Sequence, residues 1–207
     1  MIADTKHKIL DTAERLFGEQ GYDATSLRQI IAAANVNLAA VHYHFGSKEE
    51  LLDQLVFRRV GPVNEARLAA LDRIDAETVG KRPAVERIVE AFLYPVSQTA
   101  VEQPAFVRLM GRIHAEGLMP GITKRHFQAV AERFLGALRR ALPELPEDEL
   151  LWRVHFVIGA MAHTLCGVPI FPGLSAASAD FPARFRRLVA FVSAGFRAPA
   201  VPIGDKS

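Results

Sequence analysis

Residues 35–48 read NVNLAAVHYHFGSK, and how this stretch is read decides the fold. Two histidines, a tyrosine and a phenylalanine, His42 to Phe45, follow closely on the alanines Ala39 and Ala40. Three readings compete: a metal or catalytic cluster, an apolar core segment, or a short helix whose small side lets it approach something closely. Helical geometry removes the first. His42 and His44 are two apart, so on a helix they point about 200° from each other and cannot share a metal. No metal site is expected there. The asparagines act as punctuation. Asn35 tolerates the left-handed conformation of a tight turn, and Asn37 suits the cap of the helix that follows.

Outward from this stretch, apolar residues recur at helical spacing almost throughout, with no useful alternating strand pattern. Ile9, Leu10, Ala13, Leu16 and Phe17 mark the inner face of a helix over roughly residues 5–20, ended by Gly21. Thr25 or Ser26 caps a second helix through Leu27, Ile30, Ile31 and Ala34. The third is brief, from Asn37 to about His44, and Gly46 breaks it. Ser47, with Glu50 three residues on, reads as a capping box opening a fourth helix, which Gly61-Pro62 should kink or interrupt. Further helices are expected at about 83–100, 104–116, 121–141, 147–167 and 181–196. The stretch GVPIFPGLSAASAD reads as a loop and APAVPIGDKS as a frayed tail.

Half of the 207 residues are hydrophobic, so a substantial core is expected. No segment has the roughly 18 apolar residues of a membrane span, and the N-terminus lacks an apolar run of signal-peptide length. The lone Cys166 makes no internal disulfide. Together these lead to the expectation of a cytoplasmic protein. Net charge is +2. Within the first 53 residues, however, Lys6, Lys8, Arg15, Arg28 and Lys48 face eight acids: Asp4, Asp11, Glu14, Glu19, Asp23, Glu49, Glu50 and Asp53. A nucleic-acid reader with that balance must rely on a few well-placed contacts.

A helix, a capped helix, a three-residue turn and a short third helix make a tri-helical helix-turn-helix unit. The order of residue types from Ile9 to Leu52, ILDTAERLFGEQGYDATSLRQIIAAANVNLAAVHYHFGSKEELL, resembles the TetR family of bacterial repressors. The shared pattern is LF-x-x-x-G-[YF], then TS, a small-residue turn with Val, a small pair, an aromatic pair ending in Phe, and SKE-x-L. The departures are Asn35 where a turn glycine is usual, Asn37 where Ser or Thr caps, and His42 where Tyr is frequent. The resemblance covers about 45 residues; beyond them it rests on length and helicity. It implies a DNA-binding regulator, a repressor by family default, with no cofactor and no enzymatic role.

The residue types agree with such an interface. A recognition helix must enter a major groove about 12 Å wide, and Ala39 and Ala40 would let its backbone come close. Asn37, Leu38, His42 and Tyr43 would reach outward, while Val36, Val41 and Phe45 pin the helix to its neighbours. His44 is divided between a phosphate contact and the core. Lys48, in the first turn of the fourth helix, would hold a phosphate. Thr25, Ser26 and Arg28 would do so from the second helix.

The expected fold class is all-α: the helix-turn-helix domain over residues 1–53 and a helical ligand-binding and dimerisation domain over 54–207. From Val154 to Gly167 the chain carries no formal charge, and a helix apolar all round must be covered all round. Together with the helix near 182–196 it would build a four-helix bundle between two subunits. The expected seam is His155, Gly159, Ala162 and His163 on one helix, and Phe185, Leu188 and Val192 on the other. His155 and His163, eight apart, lie about 12 Å from each other, too far for one metal ion. Phe92, Phe106, Met110, Phe127, Trp152 and Phe156 are candidate walls of an effector pocket. Arg108 and His114 are its polar minority, suited to an acidic or acyl effector.

The expected partners are thus a pseudo-palindromic DNA operator, a second copy of the chain and a small, largely apolar effector that releases the DNA, with Gly61-Pro62 as a hinge. The alternative is a helical enzyme or interaction protein carrying a helix-turn-helix. The sequence contains no phosphate-cradling glycine loop, GxSxG, HExxH or CxxC.

Overall fold

Asn35 adopts φ 50 and ψ 54, the left-handed turn expected of it. Its N–H donates to the Ala32 carbonyl and that of Val36 to the Ile31 carbonyl, the pair of hydrogen bonds that closes a helix C-terminus. The computed structural model describes residues 2–166 and 181–200, with side chains except at 2–4, 38–40, 42, 166 and 181. The loop expected at 167–180 and the tail from 201 lie outside the described residues. So do the side chains of Leu38, Ala39, Ala40 and His42.

The helices, in chain order, are α1 Ile2–Gln20, α2 Leu27–Ala34, α3 Leu38–Phe45, α4 Lys48–Glu77, α5 Val85–Glu102, α6 Pro104–Ala115, α7 Met119–His126, α8 Gln128–Ala141, α9 Glu147–Cys166 and α10 Phe181–Arg197. The all-α class therefore holds. None of these helices is long and apolar enough to cross a membrane.

Two elements depart from expectation. Gly61-Pro62 does not interrupt α4, which runs through both as one helix. Pro62 has no N–H for the carbonyl of Arg58, but buried Val60 and Val63 on either side hold the helix in place. The single helix expected at 121–141 is two, parted at Phe127 (φ −120, ψ −12). Residues before and after the break serve different cores. Phe127 packs with the first hydrophobic cluster, whereas Val130 and Phe134 belong to the second.

The chain divides into two compact units: residues 1–65 with 99–129, and residues 66–98 with 130–207. This differs from a division at residue 53, because α6 and α7 join the first unit. Ile9, Ala13 and Phe17 of α1 and Ile30 of α2 share its core with Val41 of α3 and Leu51 and Leu55 of α4. Leu109 and Ile113 of α6 and Ile122 of α7 complete it. Each of these side chains larger than alanine contributes about 1.5–3 kcal/mol when fully buried. Gly18 permits the close packing of α1 on α6: a Cβ there would lie 3.3 Å from the Ala105 carbonyl oxygen.

In the second unit, Leu71, Ile88, Leu93, Phe134, Leu138, Leu150, Phe185, Leu188, Val192 and Phe196 form the core. Arg67 is buried among them. Its Nε donates to the Phe92 carbonyl at 2.9 Å, and its guanidinium lies 4.1 Å from the Phe92 ring centroid. Burial pulls its ionisation down to about 9, still above neutral pH, so the group keeps its charge. Arg153 closes α10. Its guanidinium donates to the carbonyls of Gly195, Phe196, Ala198 and Pro199 at 2.8–3.0 Å and pairs with Glu149 at 2.7 Å. A cation there satisfies carbonyls that the helix end leaves without partners.

Candidate nucleic-acid interface

Ser26 opens α2 with a complete capping box: its Oγ accepts from the Gln29 N–H at 3.3 Å, and the Ser26 N–H donates to the Gln29 side chain at 2.7 Å. The sequence reading placed a cap here but missed Gln29, whose spacing of three was the available signal. Ser47 caps α4 with its Oγ, which accepts from the Glu50 N–H at 3.0 Å, but its own N–H donates to the Phe45 carbonyl at 2.8 Å, so only half of the expected capping box is made. Between these caps, α3 is pinned by Val41 and Phe45, both buried. Tyr43 points the other way, 79 % exposed, with its ring edge-on to His44 at 5.1 Å. His44 is half-buried between Tyr43 and Phe45, and its carbonyl accepts from the Gln54 amide at 3.4 Å. Arg28 and Asn37 are exposed.

Thr25 requires a correction. Expected at a phosphate, it is fully buried, and its hydroxyl donates to the carbonyls of Gly21 at 2.7 Å and Leu16 at 3.4 Å. The chain leaving α1 exposes carbonyls that need a donor, and Thr25 supplies it. Lys48 is half-buried, with its ammonium 4.1 Å from the centroid of the Tyr22 ring. Tyr22 was not singled out from sequence, although it directly follows the helix-ending Gly21. Lys6 was counted only as a charge, yet its ammonium lies 5.9 Å from the Phe45 ring, beside the end of α3.

Tertiary contacts also answer the acidity of residues 1–53. Glu14, nearly buried, pairs with Arg59 at 2.7 Å and Arg58 at 3.1 Å, and Asp11 with Arg58 at 2.8 Å. Glu19 pairs with Arg15 at 3.0 Å. Asp53 receives Arg125 at 2.5 Å and His126 at 2.9 Å. Burial raises the Asp53 carboxyl, but the hydrogen bonds from His126 and Arg125 together outweigh it and hold the group below the usual range. Arg58, Arg59 and Arg125 all lie beyond residue 53, so a count over that segment cannot see them.

The expected effector pocket is divided between the units. Phe106, Met110 and Phe127 pack with the first core, and Phe92 with the second. Arg108 and His114 are exposed on α6, so neither is a buried cation awaiting an acid. Trp152 and Phe156 are also exposed, at 57 % and 62 %, with their rings stacked 5.8 Å apart.

The expected seam is half corrected. On α9, His155, Gly159 and His163 are exposed and Ala162 half-buried, as a seam needs. On α10, Phe185, Leu188 and Val192 are buried in the second unit's own core, so that face is already occupied. The outer face carries Phe191, 73 % exposed, with Ala194 and Gly195. Among the described residues no group of three or more His, Cys, Asp or Glu is placed to hold a metal ion.

Comparison with known proteins agrees with this architecture. Residues 9–55 match the family described as bacterial regulatory proteins, tetR family. Residues 86–195 match the tetracyclin repressor-like C-terminal domain. The biofilm operon icaADBC negative transcriptional regulator IcaR of Staphylococcus aureus (strain Newman) is 45 % identical over 51 residues, 25 % of this chain and 27 % of that protein. The probable transcriptional regulator YttP of Bacillus subtilis (strain 168) is 41 % identical over 56 residues, 27 % of each. The chain thus spans only about a quarter of the length of these curated relatives. Two solved structures share the fold over nearly the whole chain. A tetR family regulator from Shewanella sp. PV-4 has TM-score 0.66 and 20 % identity, covering 93 % of this chain and 95 % of its own. A TetR-like regulator from Rhodococcus sp. RHA1 has TM-score 0.63 and 18 % identity, covering 94 % and 97 %. With a helix-turn-helix at one end and the matching helical domain over more than half its length, this chain belongs to the TetR family of transcriptional regulators.

Proposed function

We propose that the protein is a repressor that binds a pseudo-palindromic operator as a homodimer and is released by a small, largely apolar effector. The observation that carries the reading is α3: eight residues, anchored from beneath by Val41 and Phe45, presenting Tyr43 outward. Asn37, Leu38, Ala39, Ala40, His42 and Tyr43 are assigned to the groove. Ser26, Arg28, His44 and Lys48 are assigned to phosphates, and Thr25 is withdrawn. Two copies related by a dyad place two such helices about 34–36 Å apart, one helical turn of DNA.

Dimerisation is supported by the exposed apolar surface of α9 and α10. Trp152 and Phe156 stack on the outside of α9, and Phe191 is exposed on α10; exposed aromatic surface of this kind marks an interface. Gly159, Ala194 and Gly195 beside them suit close helix approach. The effector acts by binding better to a conformation in which the half-site spacing is wrong, with the Gly61-Pro62 segment of α4 as the hinge. Its apolar character rests on Phe92 of α5, which packs against Phe134 in the second unit. An acidic or acyl group on it loses the support of Arg108 and His114, which are exposed.

The test is selection of duplexes from a random library by the intact protein, followed by anisotropy titration and sedimentation. The expected result is an inverted-repeat sequence bound by two protomers, with binding lost on replacing Arg28 and Lys48 by Ala. Failure to enrich any sequence, or enrichment of a non-repeated one by a monomer, refutes the proposal.

A further inference from the structure

Lys48 does not extend freely from the start of α4; its ammonium rests over the Tyr22 ring, 4.1 Å from the centroid. Tyr22 is itself held from two sides. Its ring packs on Phe17 at 5.4 Å. Its backbone N–H donates to both carboxylate oxygens of Glu116, at 2.9 and 3.2 Å, from just beyond the end of α6. Burial first, and Glu49 second, push the phenol up to about 12, so at neutral pH it remains a donor. Glu49 also feels the charge of Lys48.

We infer that Tyr22 is the positioning residue for Lys48: its ring face holds the ammonium in place. A lysine stem with four rotatable bonds loses much conformational freedom on reaching a phosphate. An ammonium already ordered on a ring has lost part of that freedom before DNA arrives. The inference rests on the phosphate role proposed for Lys48.

The test is a salt series of affinities, for a duplex selected by the wild-type protein, with Tyr22→Leu, Tyr22→Phe, Lys48→Gln and the Tyr22→Leu/Lys48→Gln double variant. Lys48→Gln should weaken binding and reduce the slope of log affinity against log salt by about 0.9. Tyr22→Leu should weaken binding roughly two- to five-fold in the wild-type background and have no effect in the Lys48→Gln background. Tyr22→Phe, which keeps the ring face, should retain more than half of the wild-type affinity. An equal loss from Tyr22→Leu in both backgrounds would mean an ordinary core residue and overturn the inference, leaving the role of Lys48 intact. No change in affinity or slope for Lys48→Gln overturns both. Should Tyr22→Leu fail to fold, the wild-type protein decides. Upfield ring-current shifts of the Lys48 ε-methylene protons without DNA support the inference, and unshifted resonances overturn it.

Discussion

Replacing Gly21 by Ala tests how the end of α1 is built. Gly21 has φ +94, a conformation that costs an L-residue about 1–2 kcal/mol. A Cβ added there would collide with Oε1 of Glu116. The carboxylate is the end of a flexible side chain and can move, but only by leaving the Tyr22 N–H to which both its oxygens bond. A hydrogen bond to a charged group is worth about 1.5–3 kcal/mol, and the lower end applies to this partly exposed one. Gly21→Ala should therefore cost about 2.5–3.5 kcal/mol, and Glu116→Ala about 1.5 kcal/mol, by the sums of these contributions. Urea unfolding of the two single variants and the double gives the coupling. With Glu116 already truncated, Gly21→Ala should cost only the backbone strain, about 1–2 kcal/mol. If its cost is the same in both backgrounds, the missing Cβ is not what seats the carboxylate, and the reasoning is wrong.

Three further outcomes are expected. Arg153→Ala should destabilise by about 3 kcal/mol, because it strips four carbonyls and Glu149 of their donor; amide exchange near Phe196 should accelerate, and Arg153→Lys should not restore it, since an ammonium lacks the planar fork. The Asp53 carboxyl is held below its ordinary value in the fold, so its contribution is present above about pH 4 and is lost as pH falls through the lowered value. The destabilisation by Asp53→Asn should accordingly be full at pH 7 and shrink in acid, as urea unfolding at stepped pH would record. Leu188→Ala should cost about 2–5 kcal/mol as a core truncation, whereas Phe191→Glu should leave helix content intact by circular dichroism and shift sedimentation from dimer to monomer.

The sequence by itself determined what depends on neighbours along the chain. Asn35 turns left-handed, Ser26 and Ser47 cap, Gly46 takes φ 70, and the apolar spacing of α1 and α2 points their inner faces correctly. The family pattern over residues 9–52 was legible for the same reason: the unit is made of short-range signals. Only the tertiary structure decided the rest. Thr25 turns inward because the end of α1 needs a donor for the carbonyls of Gly21 and Leu16, which the α1–α2 turn brings to it only when it folds back. Three of the acids of residues 1–53, Asp11, Glu14 and Asp53, are paired with Arg58, Arg59 and Arg125, drawn from later in the chain. α10 offers an apolar face wider than its own unit can cover. Packing chose among its residues, sending Phe185, Leu188 and Val192 to the core and leaving Phe191 outside.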